Sequence, residues 1–334
     1  MMNKHLAIFG PYPPPLGGIS VHIMRLEPFL ETEGISYRIY NHGDVQSNSV
    51  IATRKKVIWY LKMFFVEPFQ VFHFHQFFYF HFIYYCFFSL FRKEEIVVTI
   101  HSERLLNYSF FKQKMALFFL SRTRKLSLIS VSKNLNDFLL VNGVNSIFLP
   151  AYIPPQGTAN KAVNCDKDLF LFSVWKFNKK LADEIYNVPL AFEFLSKHKS
   201  EFSMLFMIGN KKDSDLVYLD ELISEYNIRE NIILVFDENL IDYVHNCRFL
   251  LRANISDGYG VSIQEAMDLG IPAIASDVCE RPKGSILFKS NDLFNLSEKV
   301  AYVQRNSKEE LLKGREDLLY HKELLKLYDS HFNS

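Results

Sequence analysis

The pattern with the clearest chemical meaning is a glycine loop and a short helix between two apolar strands. The loop begins at Asp257 and contains Gly258 and Gly260. Ser262 and Glu265 then stand three residues apart, which is the spacing of a capping box and predicts that a helix begins where the loop ends. The free N–H groups and positive dipole of such a helix end favour an anion such as a diphosphate, and glycines allow its close approach.

Both acids of this segment also have a structural explanation, since Glu265 could cap its own helix and Asp257 could be a turn residue. The wider context resembles something more specific. Two acids separated by seven residues and followed by Ala266-Met267 and by Gly270–Ser276 are similar to the E-x7-E element of glycosyltransferase family 4. The first glutamate of that element is replaced here by Asp257.

The resemblance implies a role for each part of the segment. In that family the second acid holds the donor ribose, the first contacts the transferred sugar, and the amides between them bind the diphosphate. These roles pass to Glu265, to Asp257 and to the loop between them, although aspartate reaches less far by one methylene. The loop residues are Gly258, Tyr259, Gly260, Val261 and Ser262. The flanking stretch from Ala275 to Gly284 resembles the bacterial surface-polysaccharide branch and places Arg281 near the site.

Two regions of the first half of the chain resemble the same family. Gly17 and Gly18, followed by Ile19–His22, are similar to its N-terminal glycine loop, which lies against the donor phosphates and the acceptor. His101, after the apolar run Val97–Ile100, resembles the histidine that touches the transferred sugar. A plain turn between strand and helix and a structural histidine are the alternatives.

A further site of the family lies after the first strand of its second domain, where an arginine and then a lysine neutralise the donor phosphates. The corresponding stretch here, Trp175–Lys180, has no arginine. Lys176 is therefore the first choice for this role and Lys180 the second. Because a lysine is a point charge without bidentate geometry, phosphate binding is expected to be organised differently.

Apolar runs predict the strands that must position these residues. In the first half they are 6–9, 71–75, 96–100, 126–131 and 147–150, and in the second half 169–174, 204–208, 232–236, 249–253 and 272–275. Continuous apolar strands separated by helical stretches indicate parallel sheets covered on both faces. The aromatic segment 77–91 is too short to span a bilayer and predicts a buried or membrane-surface helix, and residues 308–327 predict an amphipathic helix.

The length of 334 residues favours two domains. The predicted fold class is α/β, and the resemblance implies GT-B, with two Rossmann-like domains facing each other across a cleft. Residues 1–155 are expected to bind the acceptor and residues 156–315 the nucleotide sugar, with a polar linker at 154–168. Residues 316–334 are expected to form a C-terminal helix that crosses back to the N-terminal domain.

The overall charge of +1 conceals an asymmetry between the two halves. Residues 1–155 hold 16 Lys and Arg against 9 Asp and Glu, a net +7, and the remainder holds 22 against 28, a net −6. A basic, aromatic half favours a phosphate-bearing ligand or an anionic membrane surface, with a solvated charged face as the alternative. No nucleic-acid motif accompanies it, so nucleic acid is not an expected partner.

Other chemistries are less well supported by the pattern. Asp213-Ser-Asp215 matches a short DxD metal motif, but a solvated turn is the preferred interpretation. His73, His75 and His81 could suggest a zinc site, because His73 and His75 share one strand face. No ligand at a suitable spacing completes that pair, so packing or acceptor-side contact is favoured. The four cysteines form no CxxC pair, which favours a reducing compartment, and no nucleophile motif is present.

The expected function is a retaining, metal-independent hexosyltransferase that uses no cofactor. Its donor would be a nucleotide sugar, with UDP favoured, and its acceptor a glycan or a polyprenyl-diphosphate-linked glycan in capsule, O-antigen or exopolysaccharide biosynthesis. A cytoplasmic protein, peripheral at the inner face of the membrane, fits this function. The alternatives are a GT-B sugar-nucleotide epimerase or hydrolase and a non-catalytic protein that binds sugar nucleotides.

Overall fold

A computed structural model describes most of the chain. The described residues are 4–14, 17–41, 43–53, 69–76, 80–155, 157, 159–211, 213–316 and 319–333, without the side chains of residues 76, 80 and 213–215. The basic run Arg54-Lys55-Lys56 lies outside them, and so do the side chains of the DxD-like pair Asp213 and Asp215.

The chain divides into two compact units. The first unit consists of Met1–Pro14, Gly18–Ile153 and Leu319–Ser334, and the second of Pro15–Gly17 and Pro154–Leu318. Each unit is built on a parallel sheet with helices on its faces, which confirms the predicted α/β class with two domains.

The sheet of the first unit has the order β3-β2-β1-β4-β5-β6-β7, and all its neighbouring strands are parallel. Its strands are β1 His5–Gly10, β2 Ser36–Asn41, β3 Val50–Ala52, β4 Val71–Gln76, β5 Glu95–Ile100, β6 Leu126–Ser130 and β7 Ile147–Phe148. The strand order reverses between β1 and β4. Ligands of open α/β sheets bind beyond the carboxyl ends of the strands at such a reversal.

Both faces of this sheet are covered by helices. The helices are α1 Gly18–Thr32, α2 Phe80–Phe91, α3 Phe110–Arg122, α4 Lys133–Val141 and the C-terminal helix Tyr320–Phe332. Phe9 of β1 packs in the same cluster as α2, α3 and α4, whereas Ile8 packs with α1 and the C-terminal helix. Successive residues of a strand point to opposite faces, so a run of consecutive apolar residues suits a sheet buried on both sides.

The sheet of the second unit has the order β10-β9-β8-β11-β12-β13, again with parallel neighbours. Its strands are β8 Asp168–Val174, β9 Phe202–Ile208, β10 Ile232–Phe236, β11 Phe249–Arg252, β12 Ala273–Ser276 and β13 Ile286–Phe288. The order reverses between β8 and β11, so the loops that follow these two strands begin side by side at the switch point of the sheet.

The helices of the second unit also cover both faces of their sheet. They are α5 Lys179–Leu181, which continues as a π-helical turn over Ala182–Tyr186, α6 Val188–Lys197, α7 Asp213–Glu225, α8 Val261–Asp268, α9 Leu293–Arg305 and α10 Lys308–Leu311. The helices α6, α7 and α9 pack in one core cluster, and α8 packs in the other through Ile263 and Met267. Asp213 begins α7, so the DxD-like pair lies in the first turn of a helix rather than in the predicted turn.

One predicted element is wrong. Residues 308–327 do not form a single helix, because α10 ends at Leu311 and the next helix begins at Tyr320. The break coincides with a close backbone approach: a Cβ on Gly284 would lie 2.8 Å from the backbone nitrogen of Arg315. The chain near Arg315 packs its backbone against Gly284 instead of continuing the helix. The pattern of charged residues in the sequence does not indicate this packing.

The aromatic segment near residue 80 forms α2, which has 12 residues. Within the described residues, no helix combines the length and the apolar character needed to cross a membrane.

Candidate functional site

The predicted diphosphate loop ends at a helix whose start is fixed by a glycine. Gly260 has a φ of +81° and precedes the first residue of α8. A Cβ at this position would lie 2.7 Å from Cδ1 of Ile263 and 3.0 Å from an Nη1 atom of Arg281. Both the left-handed backbone and these close contacts favour glycine here. The loop therefore turns sharply and leaves the first N–H groups of α8 at its end.

The capping box predicted from Ser262 and Glu265 is wrong. Gly260 occupies the cap position, no side chain caps the helix, and Ser262 is already its second residue. The hydroxyl of Ser262 instead accepts a hydrogen bond from Nη1 of Arg252, at 3.1 Å. Glu265 lies one turn further along α8 and is buried, with 7% of its surface exposed. The described residues thus provide no side-chain cap for the start of α8.

Asp257 forms a two-pronged ion pair with Arg252, the last residue of β11. The Arg252 Nε–Asp257 Oδ2 distance is 2.5 Å and the Arg252 Nη2–Asp257 Oδ1 distance is 2.8 Å. The backbone N–H of Gly258 also donates to Oδ1, at 3.0 Å. The planar guanidinium matches the carboxylate, so this contact fixes the position of the loop relative to the strand that precedes it.

A second arginine reaches the same carboxylate from the next strand. Nη1 of Arg281 lies 2.6 Å from Oδ2 of Asp257. Its other nitrogens donate to the backbone oxygen and the hydroxyl of Ser276, at 2.9 and 3.0 Å. The side chain of Arg281 is 1% exposed. Arg281 therefore connects the end of β12 to the loop before α8. It contacts Asp257, so it lies near the candidate site, as the resemblance implies.

The acceptor capacity of Asp257 is full. A carboxylate has about four lone-pair sites, and each of its oxygens here accepts two hydrogen bonds. Burial alone would raise the pKa of Asp257, but Arg252 and Arg281 outweigh burial and hold that pKa well below its usual range. Two guanidiniums and one carboxylate leave a net charge of +1 next to the N-terminus of α8, where an anion would be stabilised.

Arg252 was missed by the sequence reasoning. Its signal was available, since it is the one charged residue at the end of the apolar run that forms β11, immediately before the loop. A charged residue at the carboxyl end of a buried strand is placed at the ligand-binding edge of such a sheet.

The predicted lysines follow β8, whose carboxyl end adjoins that of β11. Nζ of Lys176 lies 4.1 Å from the centre of the Trp175 indole, a cation–π contact. Lys180 is exposed and lies 4.0 Å from Glu184. Of the two, Lys176 is the lysine nearer to the end of β8, because Lys180 already belongs to the helical turn beyond it.

One backbone hydrogen bond ties the segment after β8 to the β11 loop, and further contacts lie within that segment. The N–H of Ile255 donates to the backbone oxygen of Ile185, at 2.8 Å. Burial raises the pKa of the Tyr186 hydroxyl, while hydrogen bonds from the backbone of Lys176 and Trp175 act in the opposite direction. The structure thus brings Lys176, Asp257 and the start of α8 to one end of the second sheet.

The other predicted residues lie elsewhere. His101 follows β5 in the first unit, and Gly18 begins α1 there. Gly17 is grouped with the second unit. Among the described residues, a Cβ on Gly18 or Gly258 would meet no other atom within 4 Å, so no described neighbour requires either glycine.

His101 belongs to a cluster of four histidines. Its Nε2 lies 2.7 Å from Nδ1 of His75, and the two rings are stacked with centres 5.0 Å apart. The ring of His22 lies 5.3 Å from that of His75 and 5.6 Å from that of His101. His73 is 4.3 Å from His75. The cluster sits on β4, β5 and α1, close to the switch point of the first sheet.

Three histidines of the cluster are held neutral. Burial lowers the pKa of His22 to about 4 and that of His73 to about 3, and the nearby His22 also lowers the pKa of His73. Burial also lowers the pKa of His101 well below its usual value. The contact between His75 and His101 requires one ring to donate and the other to accept, which two neutral imidazoles satisfy. A neutral imidazole can bind a hydroxyl group as donor or acceptor.

His73 and His22 are anchored by the rest of the first unit. His73 contacts the hydroxyl of Tyr328 on the C-terminal helix at 2.5 Å and Oγ1 of Thr99 at 2.8 Å. Nδ1 of His22 donates to the backbone oxygen of Ala151, at 3.1 Å. The C-terminal helix is therefore packed directly behind the histidine cluster. Among the described residues, no three His, Cys, Asp or Glu side chains are arranged to hold a metal ion.

Part of the second unit matches a known protein family. Residues 166–315 match the family described as Glycosyl transferases group 1. This group 1 domain contains both parts of the second-unit site, the end of β8 and the loop before α8. A search of the curated proteins found no significant match to the sequence.

Solved structures of glycosyltransferases share the fold of the whole chain. A glycosyltransferase from Rickettsia africae has a TM-score of 0.71 at 14% identity, with 99% of this chain and 100% of that one covered. A sucrose-phosphate synthase from Thermosynechococcus elongatus gives 0.73 at 13% identity with the same coverage. The HepE protein of Anabaena, crystallised with UDP and glucose, gives 0.68 at 11% identity over 98% of this chain and 100% of that one. These similarities show a GT-B fold.

The neutral histidines predict a pH dependence for the first unit. Unfolded histidines take up protons near pH 6.5, whereas the folded pKa values of His22 and His73 are about 4 and 3. Acid therefore favours the unfolded state: between pH 7 and pH 5 the free energy of unfolding should fall by about 2 kcal/mol for each of these residues. Urea unfolding, followed by hydrogen exchange of β4 and β5 peptides, measures this loss.

The matched variants of this test are His73→Gln and His245→Gln, since His245 is an exposed histidine of the group 1 domain. His73→Gln should make the pH dependence shallower by about 2 kcal/mol, and His245→Gln should leave it unchanged. Equal slopes in the two variants would show that the buried imidazole is not responsible.

Asp257→Asn should destabilise the group 1 domain by about 3 to 5 kcal/mol, because it leaves two buried guanidiniums without their counter-charge. Asp220→Asn is the control, since Asp220 pairs with Arg229 on the surface, with both side chains more than half exposed. Its expected cost is at most about 1 kcal/mol. Denaturant unfolding, followed by hydrogen exchange of peptides from β11 and β12, distinguishes the two variants. Similar small losses would rule out a structural role for the Asp257 ion pairs.

Proposed function

We propose that this chain is a retaining glycosyltransferase that transfers a hexose-type sugar from a UDP-sugar without needing a metal ion. The observation that carries the proposal is the net charge of +1 formed by Arg252, Arg281 and Asp257 beside the uncapped start of α8. A diphosphate is the anion that suits two guanidinium groups and a helix end together. The match of residues 166–315 to the group 1 family supports this assignment.

The diphosphate of the donor would lie against the amides of Gly258, Tyr259, Gly260, Val261 and Ser262. Arg252 reaches Ser262 through its Nη1 atom, so its charge is already directed at the start of α8. Lys176, from the adjoining loop, would add a mobile charge, with Lys180 as the alternative. Cations held in place by Asp257 need no reorganisation when the leaving group develops its charge, which favours catalysis without a metal ion.

Glu265 would bind the ribose of the nucleotide. It lies on the first turn and a half of α8, beyond the proposed diphosphate site, and is buried. An ionised carboxylate only accepts hydrogen bonds, which matches the two hydroxyl groups of a ribose.

Asp257 would act on the donor indirectly. The resemblance implies that this acid contacts the transferred sugar, but all four of its acceptor sites are used by protein groups. We therefore assign it to positioning Arg252, Arg281 and the loop. The amides of Gly258 and Tyr259 would meet the sugar in its place.

The first unit would supply the acceptor side. His101 offers a neutral imidazole to a sugar hydroxyl, and Gly17 and Gly18 would allow the acceptor and the donor phosphates to approach the backbone.

The reaction would break the bond between C1 of the sugar and the β-phosphate oxygen. The acceptor oxygen forms its bond to C1 on the same face of the sugar, and its proton passes to the departing diphosphate. The protein contributes positioning and stabilisation of the leaving group through Arg252, Arg281 and Lys176.

The choice of UDP is supported by the structures of the Anabaena protein HepE with UDP and with UDP-glucose. A glycan or polyprenyl-diphosphate-linked acceptor, as in capsule, O-antigen or exopolysaccharide synthesis, fits the lipopolysaccharide galactosyltransferase WaaB, which shares this fold at 13% identity. Cytoplasmic action is part of this proposal.

One observation favours a second candidate, a protein that binds sugar nucleotides without transferring the sugar. Protein groups occupy all four acceptor sites of Asp257, which leaves none for the direct sugar contact that the resemblance implies. Such a protein would bind the donor and release no UDP with any acceptor. An epimerase or hydrolase would instead consume the donor when no acceptor is present.

The proposal is tested first by thermal shift with UDP-, GDP-, ADP- and CMP-sugars, of which the UDP-sugars should stabilise the protein most. UDP release in the presence of acceptor glycans then measures turnover. Glu265→Ala and Lys176→Ala should each lower turnover by at least about 100-fold while circular dichroism shows the fold unchanged. Lys313→Ala, an exposed lysine of the same unit, is the matched control. Variants that keep full turnover would disprove these roles.

Wild-type turnover should persist in excess EDTA, because fixed guanidinium groups would replace the charge of a divalent cation. The assay compares UDP release before and after chelation, and again after magnesium or manganese is restored. Loss of activity with EDTA and its recovery with a metal would refute the metal-free mechanism.

A further inference from the structure

Two neighbouring helices of the first unit expose an unusual number of large apolar side chains. On α2 they are Phe87, Leu90 and Phe91, and on α3 they are Phe110, Phe111 and Phe118. Phe110 and Phe111 are each 74% exposed and Phe91 is 73% exposed. We call these six residues the aromatic patch. Exposed apolar groups of this size mark an interaction surface rather than ordinary surface composition.

The six side chains lie on the outer side of one layer. The inner faces of both helices, through Phe82, Phe88 and Leu120, pack into the same core cluster on one face of the first sheet. Side chains on the opposite faces of two such adjacent helices point away from that sheet. The spacing agrees, since positions 87, 90 and 91 share one helix face and positions 111 and 118 share another.

The two helices that carry the patch also carry positive charge. The helix α3 carries Lys112, Lys114 and Arg122, all exposed, and neither helix contains an Asp or Glu. The guanidinium of Arg122 lies 3.7 Å from the centre of the Phe118 ring, and Nζ of Lys114 lies 5.5 Å from that of Phe110. Aromatic rings and cations are thus interleaved on one surface, the composition of a helix that lies in a membrane interface.

We propose that the aromatic patch, with Lys112, Lys114 and Arg122, docks the first unit onto the surface of an anionic lipid bilayer. The rings would enter the boundary between headgroups and acyl chains, and the three cations would pair with lipid phosphates. A second copy of this chain fits less well, because a symmetric contact would bring the same cations together. This inference stands on residues of the first unit alone and does not depend on donor binding.

The experiment is sedimentation of the full chain with vesicles of phosphatidylcholine, with and without phosphatidylglycerol, at low and high salt. The wild type should bind the anionic vesicles at low salt, bind the neutral ones much less, and lose affinity as salt increases. Phe111→Ser should weaken binding at least about tenfold and Lys114→Glu at least about fivefold.

Two control variants match the exposure and chemistry of the test residues. Phe294→Ser removes a phenylalanine of the second unit that is 75% exposed, and Lys313→Glu reverses an exposed lysine there. Both should bind anionic vesicles like the wild type. Thermal shift with UDP should be the same in all four variants, so a failure of membrane docking is distinguished from a failure of the proposed function.

Three results would overturn the inference. The first is a wild type that stays in the supernatant with anionic vesicles at low salt. The second is a loss of binding in the control variants as large as that in Phe111→Ser and Lys114→Glu, which would assign the contact to another surface. The third is a wild-type dimer in sedimentation velocity that Phe111→Ser dissociates, without vesicle binding, which would make the patch a contact between two copies.

Discussion

The second-unit site depends on one carboxylate shared by two arginines. Burial alone would favour the protonated, neutral form of Asp257. Arg252 and Arg281 compensate for the loss of water and keep it ionised. In return it keeps two guanidiniums at fixed positions, one from the end of β11 and one from beyond β12. Without that carboxylate, the two like charges would repel each other at the start of α8.

The arrangement follows from the topology of the second sheet. Because β11 lies between β8 and β12, the three loops that carry Lys176, Asp257 and Arg281 all leave the same edge of the sheet. Residues separated by more than a hundred positions in the sequence are thereby placed at one switch point. Gly260 completes the arrangement, since any side chain there would collide with Ile263 and with Arg281.

The polar clusters of the two units differ in charge. In the candidate site of the second unit, Arg252, Arg281 and Asp257 are charged and together carry a net +1, which suits an anionic ligand. In the first unit, desolvation keeps His22, His73 and His101 neutral. His73 forms hydrogen bonds with Thr99 and Tyr328, and His75 with His101. A neutral cluster can meet uncharged hydroxyl groups, whereas a charged cluster can meet phosphate. The division of chemistry between the units therefore agrees with the division of roles proposed for donor and acceptor.

The sequence alone determined the fold class and the location of the loop that begins at Asp257. Continuous apolar runs such as 96–100 and 204–208 predicted buried parallel strands, because only strands covered on both faces are apolar at every position. Likewise, the glycines and acids between 257 and 265 identified the loop before α8, since the constraints on a tight turn act over a few residues.

Only the tertiary structure decided what the individual side chains do. Ser262 looked like a helix cap but accepts a bond from Arg252, and Asp257 looked like a sugar ligand but is saturated by two arginines. The predicted helix 308–327 is likewise broken where its backbone packs against Gly284. Each of these outcomes depends on a partner distant in sequence or on a neighbouring strand. Such contacts produce no periodic pattern in the sequence, so the sequence alone does not predict them.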